Sequence, residues 1–596
     1  MVKNIVFGMA GSGGDGIVSA GDSLLQAAVA EGYHGVMTKS FGSQIRGGES
    51  SCRVRICTEA IQNPGGNLDV AVALNWEDFL KFGAELPVSG TTVVIYEAAT
   101  NIPADRIPLV GVTPRQVIAV PIAELAKSTA GTERAKNTVV LGLIAGWFGI
   151  GAVAVMKGIR KKLAKKGSEL VEANQRAFDA GLAFALATPL KVSMAIAPST
   201  AKGTVKLIAD GNEMCAAGAI FAGCQFFGGY PITPSTEIMQ FFTDYVWGYG
   251  GAVLQAEDEI AGIGAALGAS FAGKKAMTAT SGPGLSLKTE MMGLASIAEL
   301  PLVIVDVQRG GPSTGLPTKS EQSDLFAAVF SAHGDVIRPV LAPTCVADTF
   351  RITVEAFNIA EFYQTPVIVL SDQEISQRKE TLDPIDVSQI KIIERLRPSD
   401  IELQDYKRFK RTQNHISPIS HPGMAGGTYL ASGIEHNETG APTNSGTVHA
   451  RMNDKRILKL DPLKERKDLF EVLGNPNAPL AMVAWGSVAG VCREALAMAL
   501  DEGLNVKLMV PYLLYPVAEG AYRDFFASVR KGLIIEQTHL AQFHKLLRMH
   551  LDLPAGVRSL ARSGANPFLP GEIVAALHRL ISELQRSHEH NLQPQE

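Results

Sequence analysis

The segment 230–235 reads Tyr-Pro-Ile-Thr-Pro-Ser and carries the hydroxyl group of Thr233 between two prolines. Each proline fixes its own φ angle and disfavours a helical conformation at the residue before it. The pattern therefore predicts a rigid loop in which Pro234 and Ser235 open a helix and Thr233 presents one hydroxyl at a fixed place. Such a loop is typical of a binding site. It is equally typical of a stiff connection between a strand and a helix.

Three acidic residues, Glu257, Asp258 and Glu259, stand between a predicted strand and a helix rich in glycine and alanine. The helix dipole stabilises negative charge at this end of a helix, which is a sufficient structural reason for all three. The small residues in 261–269 also allow another group to approach the helix closely. A carboxylate at the tip of such a helix can project into a cofactor cleft.

Two glycine-rich turns, 280–284 and 308–318, each follow a predicted buried strand. Ligands of open α/β sheets bind at the carboxyl ends of the strands. The second turn therefore places the guanidinium group of Arg309 at that edge, where it can bind a carboxylate through two hydrogen bonds.

A third glycine-rich loop, 11–16, follows an apolar strand at 3–9 and fits the spacing GxGxxG. The order strand, glycine loop and helix is typical of an anion-binding site. The next predicted strand ends in Lys39, where a nicotinamide dinucleotide would require an acidic residue. A different phosphorylated ligand and a purely structural turn both remain open. Arg46, next to two glycines, can reach a phosphate or carboxylate, or simply lie in a solvated turn.

Two cofactor signatures are missing from the sequence. The only Gly-Asp-Gly, at 14–16, is not followed by asparagine in 41–46, so the chain lacks the usual clamp for Mg²⁺ and a thiamine pyrophosphate group. The six cysteines are scattered without a CxxC pair, so we expect no iron–sulfur cluster and no metal on this chain. Reduced, buried thiols are typical of a cytosolic protein, and a cytoplasmic location is expected.

The composition favours a protein with several buried cores, because 46% of the 596 residues are hydrophobic and 19% are charged. The net charge of -4, without a long basic run, disfavours nucleic acid as the main partner. The N-terminus is broken by glycine too early for a signal peptide. The uncharged stretch 138–156 favours a buried helix and turn, because it contains four glycines and leads into a lysine-rich segment; a membrane helix is the minority alternative.

The pattern of strands and helices predicts an α/β protein of three domains. The predicted parts are a first domain at 1–190, a linker at 191–203, a second domain at 204–380, a polar region of interdomain or subunit contacts at 381–475, and a last domain at 476–590. Glu435, His436 and Glu438 lie in the polar region, but their spacing does not match a zinc site.

The segments 230–235, 257–269, 280–284 and 308–318 together resemble the α subunit of 2-oxoacid:ferredoxin oxidoreductases. The first 190 residues resemble the γ domain of that family, and the last part resembles its transketolase C-terminal-like domain. The fused γ–α order at this length most resembles the 2-oxoglutarate members. The chain departs from the family pattern at Thr538, where asparagine is expected, which weakens the likeness for the surface of the last domain.

The resemblance implies a Rossmann-like γ domain, a pyrimidine-binding-type domain for thiamine diphosphate and a transketolase-like domain. It also implies a separate β subunit that carries Mg²⁺, the diphosphate and a 4Fe-4S cluster, in an (αβ)₂ heterotetramer. This agrees with the two missing signatures. Coenzyme A is the implied co-substrate and ferredoxin the implied electron acceptor, with no membrane and no nucleic acid involved.

The resemblance also implies roles for individual residues. Glu259, which immediately precedes the glycine- and alanine-rich helix at the matching offset, would hydrogen-bond the aminopyrimidine ring of thiamine diphosphate. Thr233 and Arg309 would hold the carboxylate of the 2-oxoacid. The other candidate residues for cofactor contact are Tyr230, Pro231, Ile232, Ser281 and Gly282, and the candidates for coenzyme A contact are Ser43 and Arg46.

The implied activity is the coenzyme A-dependent oxidative decarboxylation of 2-oxoglutarate to succinyl-CoA and CO₂, with reduction of ferredoxin. The same groups serve the reverse reaction, as in a reductive tricarboxylic acid cycle. Two alternatives remain: a subunit specific for pyruvate or another 2-oxoacid, and a non-catalytic scaffold that kept the fold. The presence of Glu259, Thr233 and Arg309 argues against the scaffold.

Overall fold

The computed structural model describes residues 1–42, 48–201 and 203–591, with side chains up to Ser582. The chain divides into two compact units, one formed by Met1–Ala209 with Gln377–Ile385 and the other by Asp210–Ser376 with Asp386–Glu596. Both units consist of helices packed on β-sheets, so the predicted α/β class is confirmed. The predicted domain boundaries stay predictions.

Strands and helices of the described residues are numbered in chain order. The strands are β1 (Asn4–Gly11), β2 (His34–Phe41), β3 (Ser50–Cys57), β4 (Val70–Ala73), β5 (Val93–Glu97), β6 (Gln116–Val120), β7 (Leu207–Ala209), β8 (Phe226–Gly229), β9 (Ala252–Gln255), β10 (Ala276–Thr280), β11 (Leu302–Gln308), β12 (Val340–Leu341), β13 (Pro366–Asp372), β14 (Lys379–Leu382), β15 (Phe470–Gly474), β16 (Leu480–Ala484), β17 (Val506–Pro511), β18 (Leu513–Tyr515), β19 (Lys531–Glu536) and β20 (Val557–Ala561). The helices are α1 (Ile17–Ala30), α2 (Trp76–Lys81), α3 (Ile122–Ala130), α4 (Lys136–Phe148), α5 (Ala152–Leu163), α6 (Ser168–Ala187), α7 (Gly211–Phe221), α8 (Thr236–Tyr245), α9 (Glu259–Phe271), α10 (Gly282–Leu287), α11 (Thr289–Ile297), α12 (Leu325–Phe330), α13 (Val346–Tyr363), α14 (Gln373–Gln377), α15 (Gly446–Leu458), α16 (Val488–Asp501), α17 (Glu519–Phe526), α18 (Gln542–His550) and α19 (Pro570–Asn591).

The first unit contains one eight-stranded sheet in the order β6-β5-β4-β1-β3-β2-β14-β7. The strands β1, β4, β5 and β6 run parallel, whereas β3, β2, β14 and β7 continue the sheet by antiparallel pairing. Strand β14 comes from far along the chain, and no local sequence pattern indicates this pairing. Within the segment 191–203, Met194 and Ile196 are buried in the core of this unit.

The uncharged stretch of the first unit is the buried helix α4 followed by a turn and α5, as predicted. Helix α4 packs closely on α6 because each helix has a glycine at the crossing. A Cβ atom at Gly142 would collide with Phe178 O, and one at Gly181 would collide with Val139 O. Among the described residues, no helix is both long enough and apolar enough to cross a membrane.

The second unit contains two sheets that share a core. The seven-stranded sheet has the order β18-β12-β13-β11-β10-β8-β9, parallel except for β18, and the five-stranded sheet has the order β15-β17-β16-β19-β20. One hydrophobic cluster joins Ile304 of β11, Trp485 after β16 and Phe543 of α18. The two sheets therefore form a single packed body.

Two local sequence predictions in the second unit are wrong. The small and apolar residues of 214–227 predict one continuous helix, but α7 ends at Phe221, since Gly223 has φ 88° and the chain then enters β8. The residue that departs from the family pattern, Thr538, is buried rather than on a surface. Its neighbour Gln537 exchanges main-chain and side-chain hydrogen bonds with Gln322 at 2.7 and 2.8 Å.

A buried charge cluster ties the polar region to the seven-stranded sheet. The carboxylate of Glu299 accepts hydrogen bonds from Lys455 Nζ at 2.6 and 2.8 Å and from Lys459 Nζ at 2.9 Å. Arg408 Nη2 donates to Glu299 O at 2.6 Å. Burial alone would raise the pKa of Glu299, but the charges of Lys455, Lys459 and Arg408 outweigh it and hold the pKa well below its usual range. One carboxylate thus compensates three buried cations.

We predict that Glu299→Gln lowers the free energy of unfolding of the second unit by about 3–5 kcal/mol, because the buried cations lose the negative charge that compensates them. Urea denaturation followed by tryptophan fluorescence measures the effect. The matched control is Glu519→Gln, which breaks a largely exposed pair with Arg523 and should change the unfolding free energy by less than about 1 kcal/mol. Equal midpoints for the two variants would contradict the prediction.

Candidate active site

Four loops of the second unit meet at one edge of the seven-stranded sheet. Strands β11, β10, β8 and β9 are neighbours and run parallel, so their carboxyl ends lie at the same edge. Arg309, Ser281 and Thr233 lie in the loops after β11, β10 and β8, and Glu259 begins helix α9 after the loop that follows β9. The structure therefore brings together all four motifs that the sequence indicated for this unit.

The loop after β8 is held by its own hydrogen bonds and by α7. The side-chain hydroxyl and the main-chain N–H of Ser235 both donate to Ile232 O, at 3.0 and 2.9 Å. Asn212 Nδ2 donates to Pro234 O at 2.7 Å, and the peptide bond before Pro234 is cis. Helix α8 begins at Thr236, so the prediction that Pro234 and Ser235 open the helix is wrong by two residues. Pro234 lies in the loop instead, and Ser235 occupies the position before the helix.

Arg309 lies against the Thr233 loop and is buried. Its Nη1 atom donates to Thr233 O at 2.6 Å. Its Nε atom has no hydrogen-bond partner in the described part of the chain. Burial lowers the pKa of Arg309, and the nearby Asp324 opposes this effect. The contact with Thr233 through its main chain was not foreseen, and it leaves the threonine hydroxyl and part of the guanidinium group for a ligand.

The structure separates the roles of the three acidic residues before α9. Asp258 caps the helix by accepting a hydrogen bond from Ala261 N at 2.8 Å, and Glu257 is exposed. Glu259 is only 7% exposed. No hydrogen bond to its carboxylate occurs within the described residues. Glu259 therefore retains acceptor capacity in a shielded position.

Gly284 makes this position of Glu259 possible. A Cβ atom at Gly284 would lie 2.8 Å from both Cγ and Oε1 of Glu259 and still closer to Thr280 Oγ1. The hydroxyl of Ser281, in the same turn, is buried, and no described residue forms a hydrogen bond with it. Helix α10 begins at the neighbouring Gly282.

Sequence reasoning missed a lysine beneath Glu259. Lys288 Nζ donates to Glu259 O at 3.0 Å and to Thr278 Oγ1 at 3.1 Å, and the lysine is fully buried. Burial lowers the pKa of Lys288 to about 8, against the opposing charges of Glu259 and Asp258. In the sequence, the only indication of this buried lysine was its position directly after the largely apolar residues of α10.

Two aspartates behind Arg309 were also missed. Asp306 is fully buried on β11, with neither carboxylate oxygen hydrogen-bonded to a described residue. Asp324 lies beside Gly282, whose Cβ atom would fall 2.7 and 2.9 Å from the two carboxylate oxygens. Desolvation raises the pKa of Asp324 to about 7; Glu321 adds to this and Arg309 opposes it. An aspartate inside the apolar run of β11 was the available signal.

The remaining candidates from the sequence, for coenzyme A contact and for anion binding, belong to the first unit. Ser43 and Arg46 lie outside the described residues, so nothing is said of their surroundings. In the loop 11–16, the main-chain N–H of Ser12 donates to Asp15 Oδ2 at 3.0 Å, and Asp15 pairs with Lys136 at 2.8 Å. Part of the donor capacity of that loop is therefore used internally.

The acidic and histidine residues of the polar region form a hydrogen-bonded network. Glu435 accepts from Arg456 Nη1 and Nη2 at 3.1 and 2.7 Å and pairs with His449 Nδ1 at 2.5 Å. The described residues contain no group of three or more His, Cys, Asp and Glu side chains that could hold a metal ion.

Comparison with known proteins assigns the chain to a protein family. Residues 6–184 match a family model described as pyruvate ferredoxin/flavodoxin oxidoreductase, and residues 217–454 match its thiamine diphosphate-binding counterpart. The 2-oxoglutarate oxidoreductase subunit KorA of Mycobacterium tuberculosis is 33% identical over 85% of this chain and 81% of that protein. The chain belongs to the 2-oxoacid:ferredoxin oxidoreductase family.

Two further members of the 2-oxoacid:ferredoxin oxidoreductase family are similar to almost the whole of this chain. The subunit alpha of 2-oxoacid:ferredoxin oxidoreductase 2 from Aeropyrum pernix is 29% identical over 96% of this chain and 97% of that protein. The 2-oxoglutarate:ferredoxin oxidoreductase from Magnetococcus marinus, solved with 2-oxoglutarate, coenzyme A and succinyl-CoA bound, is 37% identical with a TM-score of 0.92, over 98% of this chain and 100% of that one. The chain is thus a subunit of an oxidoreductase.

The residues at the sheet edge fit thiamine diphosphate. An aminopyrimidine ring requires a carboxylate acceptor, and the shielded Glu259 carboxylate has no hydrogen bond to a described residue. Gly284 leaves the space in which this carboxylate lies. The unpaired hydroxyl of Ser281 supplies a further polar group at this edge.

We predict that Gly284→Ala destabilises the second unit by about 1–3 kcal/mol, because the added methyl group displaces Glu259 or Thr280. Thermal unfolding of the purified protein measures the effect. The control is Gly264→Ala on α9, where a Cβ atom would meet nothing within 4 Å. That variant should be neutral or more stable by up to about 1 kcal/mol, as expected for alanine in a helix. A tolerated Gly284→Ala would refute the close approach.

Proposed function

We propose that the chain is the α subunit of a 2-oxoglutarate:ferredoxin oxidoreductase. The reaction consumes 2-oxoglutarate, coenzyme A and oxidised ferredoxin and yields succinyl-CoA, CO₂ and reduced ferredoxin. The observation that carries the proposal is the meeting of Glu259, Thr233 and Arg309 at one sheet edge. Support comes from the Magnetococcus marinus enzyme, which resembles the chain over its whole length and was solved with 2-oxoglutarate bound.

In this proposal Glu259 is the catalytic residue. Its carboxylate accepts a hydrogen bond from the aminopyrimidine ring and holds that ring in the tautomer needed for proton transfer. Thiamine diphosphate, when bound, supplies the electron sink for decarboxylation. Lys288 donates a hydrogen bond to Glu259 O and so fixes the start of the helix that carries the carboxylate.

Thr233 and Arg309 bind the carboxylate of the 2-oxoacid. The Thr233 hydroxyl is one donor, and the guanidinium atoms of Arg309 not bonded to Thr233 O supply others. Burial of Arg309 strengthens this interaction, because the charges attract each other in a medium of lower polarity. Tyr230, Pro231, Ile232, Ser281 and Gly282 contact the cofactor in this proposal.

A β subunit completes the site. It would carry Mg²⁺, the diphosphate and a 4Fe-4S cluster, and would assemble with this chain as an (αβ)₂ heterotetramer that reduces ferredoxin. The exposed apolar side chains on or beside the four loops support such a partner; they are Tyr230, Leu254, Ile260, Leu287 and Leu316. Coenzyme A would bind with help from Ser43 and Arg46 of the first unit.

We predict that Glu259→Gln reduces 2-oxoglutarate-dependent ferredoxin or dye reduction at least about 100-fold, because the amide cannot stabilise the tautomer that the carboxylate stabilises. The assembled complex should keep its subunit composition. The matched control is Glu257→Gln, which changes an exposed residue two positions away and should retain near-normal turnover. Near-normal turnover of Glu259→Gln would reject the assignment.

We also predict that Arg309→Lys raises the KM for the 2-oxoacid roughly 10- to 100-fold, as hydrogen bonds to charged groups contribute about 1.5–3 kcal/mol. The KM for coenzyme A should not change. Arg523→Lys, at an exposed arginine, serves as the control. A substrate panel with the wild-type complex tests the 2-oxoacid itself: a preference for pyruvate or a branched-chain 2-oxoacid would replace 2-oxoglutarate in the proposal.

A further inference from the structure

A pair of acidic side chains lies behind the proposed carboxylate-binding arginine. Asp306 is on β11, and Asp324 follows the turn that leaves Arg309. The main-chain N–H of Asp324 donates to Gln308 Oε1 at 3.0 Å, which anchors the aspartate to the end of β11. Gln308 itself donates through Nε2 to Ser371 O at 3.0 Å on the neighbouring β13. The position of Asp324 relative to Arg309 is therefore set by the sheet.

Some buried polar atoms of this aspartate pair and of Arg309 lack hydrogen-bond partners among the described residues. Within the described residues, Asp306 Oδ1 and Oδ2, Asp324 Oδ2 and Arg309 Nε are buried atoms without a hydrogen-bond partner. A buried carboxylate without hydrogen bonds is strongly disfavoured in its ionised form. Two carboxyl groups that interact in such a place do not both ionise readily, and their titrations are linked.

We propose that Asp324 is a positioning residue that sets the affinity of Arg309 for the carboxylate of the 2-oxoacid. Burial and the charge of Glu321 disfavour the ionised form of Asp324, and Asp324 in turn disfavours ionisation of Asp306 behind it. When Asp324 is ionised, its negative charge competes with the substrate carboxylate for Arg309. When Asp324 is protonated, the charge of Arg309 is available to the substrate. The proposal rests on the proposed function, because it takes Arg309 as the substrate-binding cation.

The charged groups around Asp324 determine the direction of the pH effect. Glu321, on the same segment, accepts from Gly311 N and Gly564 N at 3.2 and 3.0 Å, and its charge raises the pKa of Asp324, whereas Arg309 lowers it. Helix α10, which faces Asp324 through Gly282, carries no titratable side chain. From α18, Gln542 reaches this segment with a hydrogen bond to Ser323 O at 2.6 Å.

Since desolvation is the largest cause and raises the pKa of Asp324 to about 7, the aspartate becomes ionised as the pH rises through neutrality. The KM of the wild-type enzyme for the 2-oxoacid should therefore rise between about pH 6 and pH 8.5. The value of kcat should follow this rise much less, because Asp324 acts on substrate binding through Arg309.

The test uses the assembled wild-type complex and its Asp324→Asn variant, with KM for the 2-oxoacid, KM for coenzyme A and kcat measured from pH 6 to 8.5. At pH 8.5 the variant should show a KM for the 2-oxoacid roughly 3- to 10-fold below the wild type, since an interaction of about one pKa unit is a factor of 10. The pH-dependent rise in KM should disappear, and the KM for coenzyme A should stay unchanged. Asp335→Asn, at an exposed aspartate of the same unit, is the control.

A second variant covers the case in which Asp324→Asn does not fold. Glu321→Gln removes a charge that raises the pKa of Asp324, so the midpoint of the KM rise should move to lower pH. The inference is overturned if the KM of Asp324→Asn depends on pH as in the wild type, or if the midpoint of the KM rise is the same in Glu321→Gln as in the wild type. Turnover of the 2-oxoacid by the wild-type complex would leave the proposed function intact in either case. A wild-type complex that turns over no 2-oxoacid rejects the proposed function instead, and the inference with it.

Discussion

The hydrogen bond from Arg309 Nη1 to Thr233 O, at 2.6 Å, is the contact on which the candidate site depends. It joins the loop after β11 to the loop after β8, although β10 lies between these strands in the sheet. Because both strands run parallel, their carboxyl ends lie at one edge, and the arginine side chain spans the width of one strand. The arginine is buried there, and a charge–charge interaction is stronger in a buried place than in water.

Burial of charge recurs throughout the second unit, with different consequences. Around Glu299, both lysines donate to the carboxylate and Arg408 donates to the main-chain oxygen, so the cluster supports the packing of the polar region. Around Asp306 and Asp324 buried oxygen atoms have no partner among the described residues. Unpaired buried charges of this kind are costly, and they occur where function requires a shifted protonation equilibrium more often than in ordinary cores. The two clusters illustrate why burial alone does not identify a site.

Glycine has a specific structural purpose in each part of the chain. In the first unit, Gly142 and Gly181 let α4 and α6 approach closely. In the second unit, Gly284 allows the carboxylate of Glu259 to lie against the turn after β10. Close helix packing therefore explains a glycine of the apolar stretch 138–156, and the space that a carboxylate needs explains Gly284 in the turn after β10.

The sequence by itself determined the α/β class, the strands that lead to the site and the residue types at the sheet edge, because these depend on local periodicity and on prolines and glycines in short motifs. The family resemblance carried by these motifs singled out Glu259 among the three acidic residues at the start of α9. The tertiary structure alone decided that Asp258 caps that helix while Glu259 is shielded, and that Arg309 bonds to the main chain of Thr233. It alone revealed Lys288, Asp306 and Asp324 beside the site, and the pairing of β14 with β2. These features require residues far apart in the chain to meet, and their energies depend on burial and on hydrogen-bond partners that no local pattern specifies.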